Sequence, residues 1–483
     1  MSRYTITGET GEWEIVVGLE VHCELLTKTK LFCGCPNAFG DEPNTNVCPV
    51  CLGLPGSLPV LNRRAVEMAM AIGTALGCEI RPSSFHRKNY FYPDMPKDYQ
   101  VTQYDEPLNV EGRLTLVDGT PIGIVRAHME EDTGKTTHMG GDGRIHGADY
   151  SLVDYNRSGV PLVEIVSAPD LRSPEQARSY VSELRAILVA TGASDGRMEE
   201  GSLRVDANVS VRRFGGEEFG TRCEIKNLNS LRSLVRAIEY ESRRQVELLE
   251  RGGSVDQETR HWNEVEGRTS SMRSKEEAYD YRYFPEPDLV PLAPPAEWIA
   301  EVVAKLGLMP AQRRERLASL LGESSEAIEE QVATVIDLGL DDLVVATIAS
   351  GADSRLVMAR AANEAAQQPD AARQLDPERF GELIGLEAAG TLSATQAKAV
   401  LGELLTNGGR PADIADRLGF KALASDELGA VIDAVIAANP GEWDRYVGGD
   451  DKVAQFLLGK VMRETKGRAN GKLVAEALAS RRG

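Results

Sequence analysis

Four short segments of this chain alternate apolar and charged side chains with the period of two that a β-strand requires. They are residues 18–25, 124–131, 203–211 and 222–226. A solvated sheet face usually mixes Thr, Ser and Lys, whereas carboxylates, imidazoles and guanidiniums together suit a site for metal and phosphate. The charged faces are Glu20, His22 and Glu24; Arg126, His128 and Glu130; Arg204, Asp206, Asn208 and Ser210; and Arg222, Glu224 and Lys226.

The N-terminal part of the chain predicts an α+β fold around a mainly antiparallel sheet. Its β-patterned runs are interrupted by two predicted helices, one from about Ser173 to Ala190 and one from near Ser230 to the Gly252-Gly253 pair. A chain of 483 residues is too long for one hydrophobic core, so further domains are expected.

The pattern changes after a proline-dense stretch at residues 285–295, which predicts a linker. Beyond it the sequence loses its β-pattern and becomes helical, and a second boundary is plausible at residues 406–411. We therefore predict an α+β domain at residues 1–295, an all-α domain at 296–405 and a small helical tail at 406–483.

The charge balance is acidic overall but basic at the C-terminal end. A net charge of −20 argues against a general polyanion binder. Residues 456–483, in contrast, hold seven basic and two acidic side chains, which indicates a nucleic-acid contact; a solvated helix face is an equally good explanation of the charge alone. No apolar run approaches the length of a membrane span, and the N-terminus lacks a signal-peptide core, so we expect a cytoplasmic protein without membrane contact.

Four of the seven cysteines form two close pairs. Cys33 and Cys35 are followed after twelve residues by Cys48 and Cys51, a spacing similar to that of zinc ribbons. Disulfides are disfavoured in the cytosol, and structural zinc is favoured over free thiols. Because four thiolates leave no open coordination position, this zinc would hold a loop and perform no chemistry.

No standard nucleotide-binding loop is found. The segment 132–137, Asp-Thr-Gly-Lys-Thr-Thr, lacks the glycine that a P-loop needs at position 129, which is Met129. A triphosphate would therefore be held by another arrangement of cations. The candidates lie in or beside the charged strands, although each alone is more often a surface charge: Arg87, Lys88, Lys97, Arg157, Arg204 and Lys226.

Glu164 lies in a segment that is apolar on both faces, so a covered strand is expected. A carboxylate there requires a partner, either an arginine such as Arg157 or a metal ion. His22, Glu130 and Asp206 offer matching hard ligands, which favours a metal contact, and magnesium rather than zinc.

By its motifs the chain resembles the B subunit of the tRNA-dependent amidotransferases, the GatB family. The matching motifs follow one another along nearly the whole chain: Gly-Leu-Glu-Val-His at 18–22, the cysteine segment at 44–56, Asn-Tyr-Phe-Tyr-Pro-Asp at 89–94, His-Met-Glu-Glu-Asp-Thr-Gly-Lys at 128–135, Asp-Tyr-Asn-Arg-Ser-Gly-Val-Pro at 154–161, Tyr-Arg-Tyr-Phe-Pro-Glu-Pro-Asp at 281–288, and residues 456–470. Residues 140–147 are longer than is usual in that family, and we assign them no role.

The resemblance implies a cradle-shaped α+β domain, a helical domain and a tRNA-binding tail similar to the YqeY fold. It also implies that ATP phosphorylates the side-chain carboxylate of Glu-tRNA(Gln) or Asp-tRNA(Asn), and that ammonia then displaces the phosphate. An amidase subunit (GatA) would supply ammonia, and a small subunit (GatC) would brace the pair. The alternative is a non-catalytic tRNA-binding scaffold of the same complex.

The same resemblance implies roles for individual residues. Six are expected at the reacting centre: Glu20, His22, Glu130, Glu131, Asp206 and Glu224. Magnesium is expected at Glu20, His22, Glu130, Glu164, Asp206 and Glu224. ATP is expected at Lys88, Arg157, Arg204, Asn208 and Lys226. Zinc is expected at Cys33, Cys35, Cys48 and Cys51.

Overall fold

The computed structural model describes residues 4–140, 147–272, 281–322, 325–420, 425–465, 469 and 471–482. The chain divides between Pro310 and Ala311 into two compact units. The three-domain division at 296 and 406 stays a prediction. In the part of the chain that is described, no helix is long and apolar enough to cross a membrane.

The strands of the described chain all lie in the first unit. They are β1 (Ile6–Gly8), β2 (Gly11–Glu24), β3 (Glu79–Ile80), β4 (His86–Asn89), β5 (Tyr99–Thr102), β6 (Asn109–Thr115), β7 (Pro121–Glu131), β8 (Lys135–Met139), β9 (Tyr150–Asp154), β10 (Pro161–Ser167), β11 (Leu203–Arg213), β12 (Cys223–Leu228), β13 (Thr259–Asn263), β14 (Arg268–Ser271) and β15 (Phe284–Pro285).

Helices accompany the sheet and make up the second unit. The first unit contains α1 (Arg63–Ala75), α2 (Pro174–Ala190), α3 (Leu231–Glu250) and α4 (Ala296–Val303). The others are α5 (Pro310–Leu321), α6 (Glu326–Asp337), α7 (Asp341–Ala349), α8 (Ser354–Asn363), α9 (Pro369–Arg373), α10 (Pro377–Ala388), α11 (Ala394–Asn407), α12 (Pro411–Arg417), α13 (Ser425–Ala438), α14 (Pro440–Val447), α15 (Lys452–Glu464) and α16 (Gly471–Arg482).

Thirteen strands form one sheet whose main path runs β14-β13-β12-β11-β2-β10-β7-β5-β4-β15. Strand β1 pairs with β2, and β6 joins β3 to β7, while β8 and β9 form a separate hairpin. Every pairing is antiparallel except that of β12 with β13. The structure thus confirms the predicted α+β class, with a mainly antiparallel sheet followed by an all-helical region.

The apolar face predicted for the long strand β2 is buried. Leu19, Val21 and Cys23 are each at most 1% exposed and belong to the core of the first unit. Helices α2 and α3 are confirmed, and each is capped by the serine before it: Ser173 Oγ and Ser230 Oγ accept backbone N–H groups of the first turn at 3.0 Å. The charged face of β2 is therefore left for a site.

Helix α1 was not singled out by the sequence analysis, although it buries eight residues between Ala65 and Gly73. Asn62 caps it, with Oδ1 accepting the Arg64 N–H at 2.9 Å. The helix packs against the sheet and against α4, where Trp298 Nε1 donates to Glu67 Oε1 at 3.2 Å.

The proline-dense stretch predicted as a linker is instead docked on the first unit. Leu292 exchanges two backbone hydrogen bonds with Ser83, at 2.7 and 2.8 Å. Glu286 is buried and accepts two hydrogen bonds from the Arg87 guanidinium, at 2.7 and 2.8 Å. Proline density alone could not reveal these contacts, because they are made with residues about 200 positions earlier in the chain.

The second unit holds two hydrophobic clusters. One gathers buried residues from Leu317 to Ala415, and the other gathers residues from Leu428 to Leu478.

Candidate active site

The register of four central strands brings the charged faces together. His22 on β2 lies opposite Glu164 on β10 and opposite Arg204 on β11. Glu164 in turn lies opposite His128 on β7. One residue pair further along β2, Glu20 lies opposite Asp206. Residues that are far apart in sequence therefore share one face of the sheet.

Two histidines and two carboxylates form the centre of this face, which we call the His22 centre: His22, His128, Glu130 and Glu164. His22 Nε2 lies 3.7 Å from both Glu130 Oε1 and Glu164 Oε2, and His128 Nε2 lies 3.6 Å from Glu164 Oε2. One ligand atom each of His22, Glu130 and Glu164 lie within 4.8 Å of one another, close enough to share a metal ion.

Burial controls the protonation of this centre. Burial and the nearby Glu164 raise the pKa of Glu130 to about 8. Burial lowers the pKa of His128 to about 4 and also lowers that of His22. At neutral pH both imidazoles are neutral and can offer a lone pair, while Glu130 retains its proton until a cation compensates its charge. The donor set therefore fits a divalent cation with carboxylate ligands.

Glu164 is surrounded by two histidines and an arginine. Its carboxylate is near His22, His128 and Arg126, whose Nη2 is 4.0 Å from Glu164 Oε1. The alternative pair with Arg157 is not what the structure shows, because Arg157 binds the loop after β7 instead. His128 was recognised on the charged face but was given no role in the predicted site.

A second group adjoins the His22 centre on strands β11 and β12. Lys226 Nζ lies 2.8 Å from Asp206 Oδ2 and 2.7 Å from Glu224 Oε1. Asn208 Nδ2 donates to Glu20 Oε1 at 3.0 Å. Burial and Glu164 raise the pKa of Glu20. Burial would also raise the pKa of Glu224, but the Lys226 ammonium outweighs it and lowers that pKa.

A third group, centred on Asp132, was missed by the sequence analysis. Asp132 is 4% exposed, and its Oδ2 lies 2.6 Å from Arg204 Nη2 and 3.5 Å from Arg157 Nε. Arg157 also donates to the carbonyls of Thr133 and Gly134, at 3.0 and 2.9 Å. In the sequence, Asp132 was considered only as part of the segment that lacks the glycine of a P-loop. Its position directly after the charged strand β7 could have indicated that it belongs to the site.

Glu24 completes the Asp132 group. It lies on the charged face of β2, and burial together with Asp132 raises its pKa to about 7. The two arginines act on Asp132 in the opposite direction: burial would raise its pKa, but Arg204 and Arg157 lower it. The group therefore holds two guanidiniums in place while one carboxyl titrates near neutral pH.

Glu131 lies apart from these groups, whereas the charge of Lys88 acts on the His22 centre. Glu131 points to the other side of β7, forms a buried ion pair with Lys97 and accepts the Val101 N–H at 2.9 Å. Of the two neighbours proposed for the reacting centre, the structure thus brings only Glu130 into it. Lys88 Nζ lies 4.8 Å from the Tyr281 ring centroid, and its charge opposes the raised pKa of Glu130.

The four paired cysteines converge in a loop between β2 and α1. Cys51 Sγ lies 3.4 Å from Cys33 Sγ and 3.6 Å from the Sγ atoms of Cys35 and Cys48. A zinc ion with Zn–S bonds of about 2.3 Å would separate the sulfurs of a tetrahedron by about 3.8 Å. All four sulfurs lie within 4.8 Å of one another, so the cluster fits a four-thiolate zinc site.

Part of the basic C-terminal end is paired within the chain. Arg481 Nε lies 2.7 Å from Asp433 Oδ1, and Arg482 Nη1 lies 2.5 Å from Asp451 Oδ1. Lys460 Nζ lies 5.2 Å from the Phe456 ring centroid. Lys466, Arg468 and residues 141–146 of the longer segment lie outside the described residues.

Comparisons with known proteins cover the same two regions. A family model described as GatB/GatE catalytic domain matches residues 15–300, and one described as GatB domain matches residues 342–481. A protein of Salinispora tropica is 51% identical over 98% of this chain and 97% of its own length. One of Moorella thermoacetica is 49% identical over 97% of this chain and 100% of its own. Both relatives are named as the B subunit of an aspartyl/glutamyl-tRNA(Asn/Gln) amidotransferase.

Proposed function

The chain belongs to the GatB/GatE family, as its motifs predict, and we propose that the charged sheet face phosphorylates and then amidates the side-chain carboxylate of a misacylated tRNA. The matching family model describes residues 15–300 as a catalytic domain, and this favours the enzyme over the scaffold alternative. The observation that carries the proposal is the convergence of His22, Glu130 and Glu164 beside two cation-bearing groups, that of Lys226 and that of Arg204 with Arg157.

Amide formation from a carboxylate needs prior activation, because the carboxylate is a poor electrophile. A side-chain oxygen of the glutamyl or aspartyl group attacks the γ-phosphorus of ATP, and ADP leaves with the electrons of the broken P–O bond. Ammonia then attacks the acyl carbon of the mixed anhydride, loses a proton and expels phosphate. Both steps gather negative charge on oxygen, which positioned cations stabilise.

Different residues of the charged sheet face would bind the metal ion and the phosphates. Glu130, Glu164 and His22 would hold magnesium, with Glu20, Asp206 and Glu224 beside them; when bound, the ion offsets charge on the phosphate oxygens. Arg204 and Arg157, fixed by Asp132, are placed to bind phosphate oxygens through their remaining N–H groups. Lys226, Lys88 and Asn208 supply further donors along the same face.

We propose that ammonia comes from an amidase subunit (GatA), with a small subunit (GatC) in the same complex. The sequence contains no Gly/Ser-rich amidase nucleophile segment, and Cys23 and Cys223 are buried on apolar faces. The basic residues of 456–483 would contact the tRNA, and the four cysteines would hold zinc as a structural ion. We further propose the cytoplasm as the place of action.

The test is ADP formation by the assembled complex supplied with Glu-tRNA(Gln). Glu20→Ala and Asp206→Ala should strongly lower tRNA-dependent ADP release, because both carboxylates lie on the site face. Glu175→Gln, on the exposed surface of α2, is the matched control and should behave as the wild type. If the first two variants also keep full ADP release, the scaffold alternative is correct.

A further inference from the structure

Lys30 is a lysine whose side chain is completely buried, at 0% exposure. Its ammonium lies beside the cysteine cluster, with Nζ 3.6 Å from Cys51 Sγ and 3.2 Å from the carbonyl oxygen of Tyr155. Among the described residues, the polar contacts of this ammonium are this sulfur and this carbonyl, and neither is a carboxylate. A buried ammonium without a counter-charge costs several kcal/mol, so a negative charge is expected next to it.

The cysteine cluster can supply that charge. Four thiolates around a zinc ion carry a net charge of −2, and Cys51, the one of the four that is buried, is the cysteine next to Lys30. An N–H group directed at a ligating sulfur is a known way in which surrounding residues stabilise a metal site. Lys30 contributes both the N–H group and a positive charge, and this reduces the net charge of the assembly to −1.

The second hydrogen bond of Lys30 connects the cluster to the active-site face. Tyr155 begins the turn that carries Arg157, and Ser158 N–H donates back to the Tyr155 carbonyl at 3.1 Å. The turn is bound at its end as well: Leu31 N–H donates to the Gly159 carbonyl at 2.9 Å, and Gly159 N–H donates to the Asp132 carbonyl at 3.0 Å. The lysine thus lies between the sulfurs and the backbone that orients Arg157 toward Asp132.

We propose that Lys30 is the internal counter-cation of the four-cysteine zinc centre, and that it joins this centre to the turn bearing Arg157. It is a positioning residue, since it contacts ligands and backbone and no reacting group. The claim about zinc stands on the cluster geometry alone, whereas the claim about Arg157 rests on the proposed function. The two can therefore fail separately.

The first experiment measures zinc content and the rate of zinc transfer to a chelator in the full-length chain. Lys30→Met removes the charge and keeps the length of the side chain, and Lys30→Gln removes the charge but keeps a donor. Both should release zinc about 10–100-fold faster than the wild type, the range known for residues that support metal ligands. Lys28→Met is the matched control, because Lys28 is exposed two residues away, and it should not change the rate. Wild-type release rates in both Lys30 variants would overturn the proposal.

A measurement on the wild-type chain avoids any dependence on folding of the variants. An amine-reactive reagent should label Lys30 slowly while zinc is bound and much faster after chelation, relative to Lys28 in the same sample. Equal labelling of Lys30 before and after chelation would contradict the contact with the cluster.

The link to Arg157 is then read from ATP kinetics in the assembled complex. The Lys30→Met variant is measured with zinc bound. Its KM for ATP should rise more than its kcat falls, because loss of the Lys30 hydrogen bond displaces Arg157 and weakens the binding of the ATP phosphates. If the KM for ATP is unchanged while zinc release is faster, the link between Lys30 and Arg157 is refuted, but the role of Lys30 as counter-cation of the zinc centre still stands. If the wild-type complex forms no ADP either, the proposed function itself is refuted.

Discussion

The part of the chain that the structure describes contains two sets of metal-competent side chains that are built in opposite ways. The cysteine cluster comes from one loop of 19 residues, Cys33 to Cys51, and its ligands are all of one kind. The His22 centre draws on three strands, β2, β7 and β10, and mixes imidazole with carboxylate. The cysteine cluster offers four ligands, which fill a tetrahedral zinc site, whereas the His22 centre offers three ligands within 4.8 Å of one another, fewer than a six-coordinate cation takes. A closed site can thus be built from one loop, while the open one depends on the pairing of three strands.

The largest effect is expected at the centre of the sheet face. Glu164→Ala removes the carboxylate that lies within 3.7 Å of both His22 and His128. We expect tRNA-dependent ADP formation to fall by about 10²–10³-fold, comparable to the loss of one positioned charge-stabilising group. The midpoint of thermal unfolding should change little. A variant that keeps its activity would place the chemistry elsewhere.

The cysteine cluster should respond in the opposite sense. Cys51→Ser removes the sulfur that lies nearest to the other three, so zinc binding should be lost and thermal stability should fall. Each kcal/mol lost in the free energy of unfolding should lower Tm by roughly 2–4 °C for a unit of this size. At a temperature where the variant stays folded, activity should fall less than in Glu164→Ala. If Cys51→Ser lost more activity than Glu164→Ala and kept its Tm, the cysteine cluster would not be a purely stabilising site.

The Asp132 group should give a smaller effect that falls on binding. Asp132→Asn keeps the shape but removes the charge that fixes Arg204 and Arg157. We expect the KM for ATP to rise by about tenfold, the equivalent of ~1.4 kcal/mol, with a smaller change in kcat. The same substitution should lower the pKa of Glu24, because Asp132 is one cause of its rise to about 7. Carbon-13 NMR of the Glu24 carboxyl would show whether it does.

The last prediction concerns stability against pH in the metal-free protein. The pKa of Glu130 rises from 4.5 to about 8 on folding, so the folded chain holds a proton that the unfolded chain releases. Its stabilising contribution is complete below pH 4.5 and is lost as the pH rises toward 8. Glu130→Gln should flatten this part of the curve of unfolding free energy against pH. Denaturant titrations between pH 5 and 8 would test the slope, and an unchanged slope would contradict the assignment.

The sequence predicted the strands and their faces because a period of two is a local property. Charged residues on β2, β7, β11 and β12 were identified for that reason. The register of the strands was not predictable. Glu164 lies opposite both His22 and His128 because β10 pairs with β2 on one side and with β7 on the other, and no local sequence pattern specifies these partners. For the same reason Asp132 was missed. Glu130 and Glu131 differ from this case, because the period of two already assigned them to opposite faces and only the family resemblance grouped them together. The convergence of the four cysteines, in contrast, could be predicted, because all four lie within one short segment of the sequence.

The most direct test of the account compares two neighbouring residues on β7. Binding of Mn²⁺, as a paramagnetic substitute for magnesium, can be measured by titration of the full chain above pH 8, where Glu130 is ionised. Glu130→Gln should weaken Mn²⁺ binding strongly, whereas Glu131→Gln should keep it and lose thermal stability through its pair with Lys97. The reverse result, with binding lost only in Glu131→Gln, would contradict the site described for this sheet face.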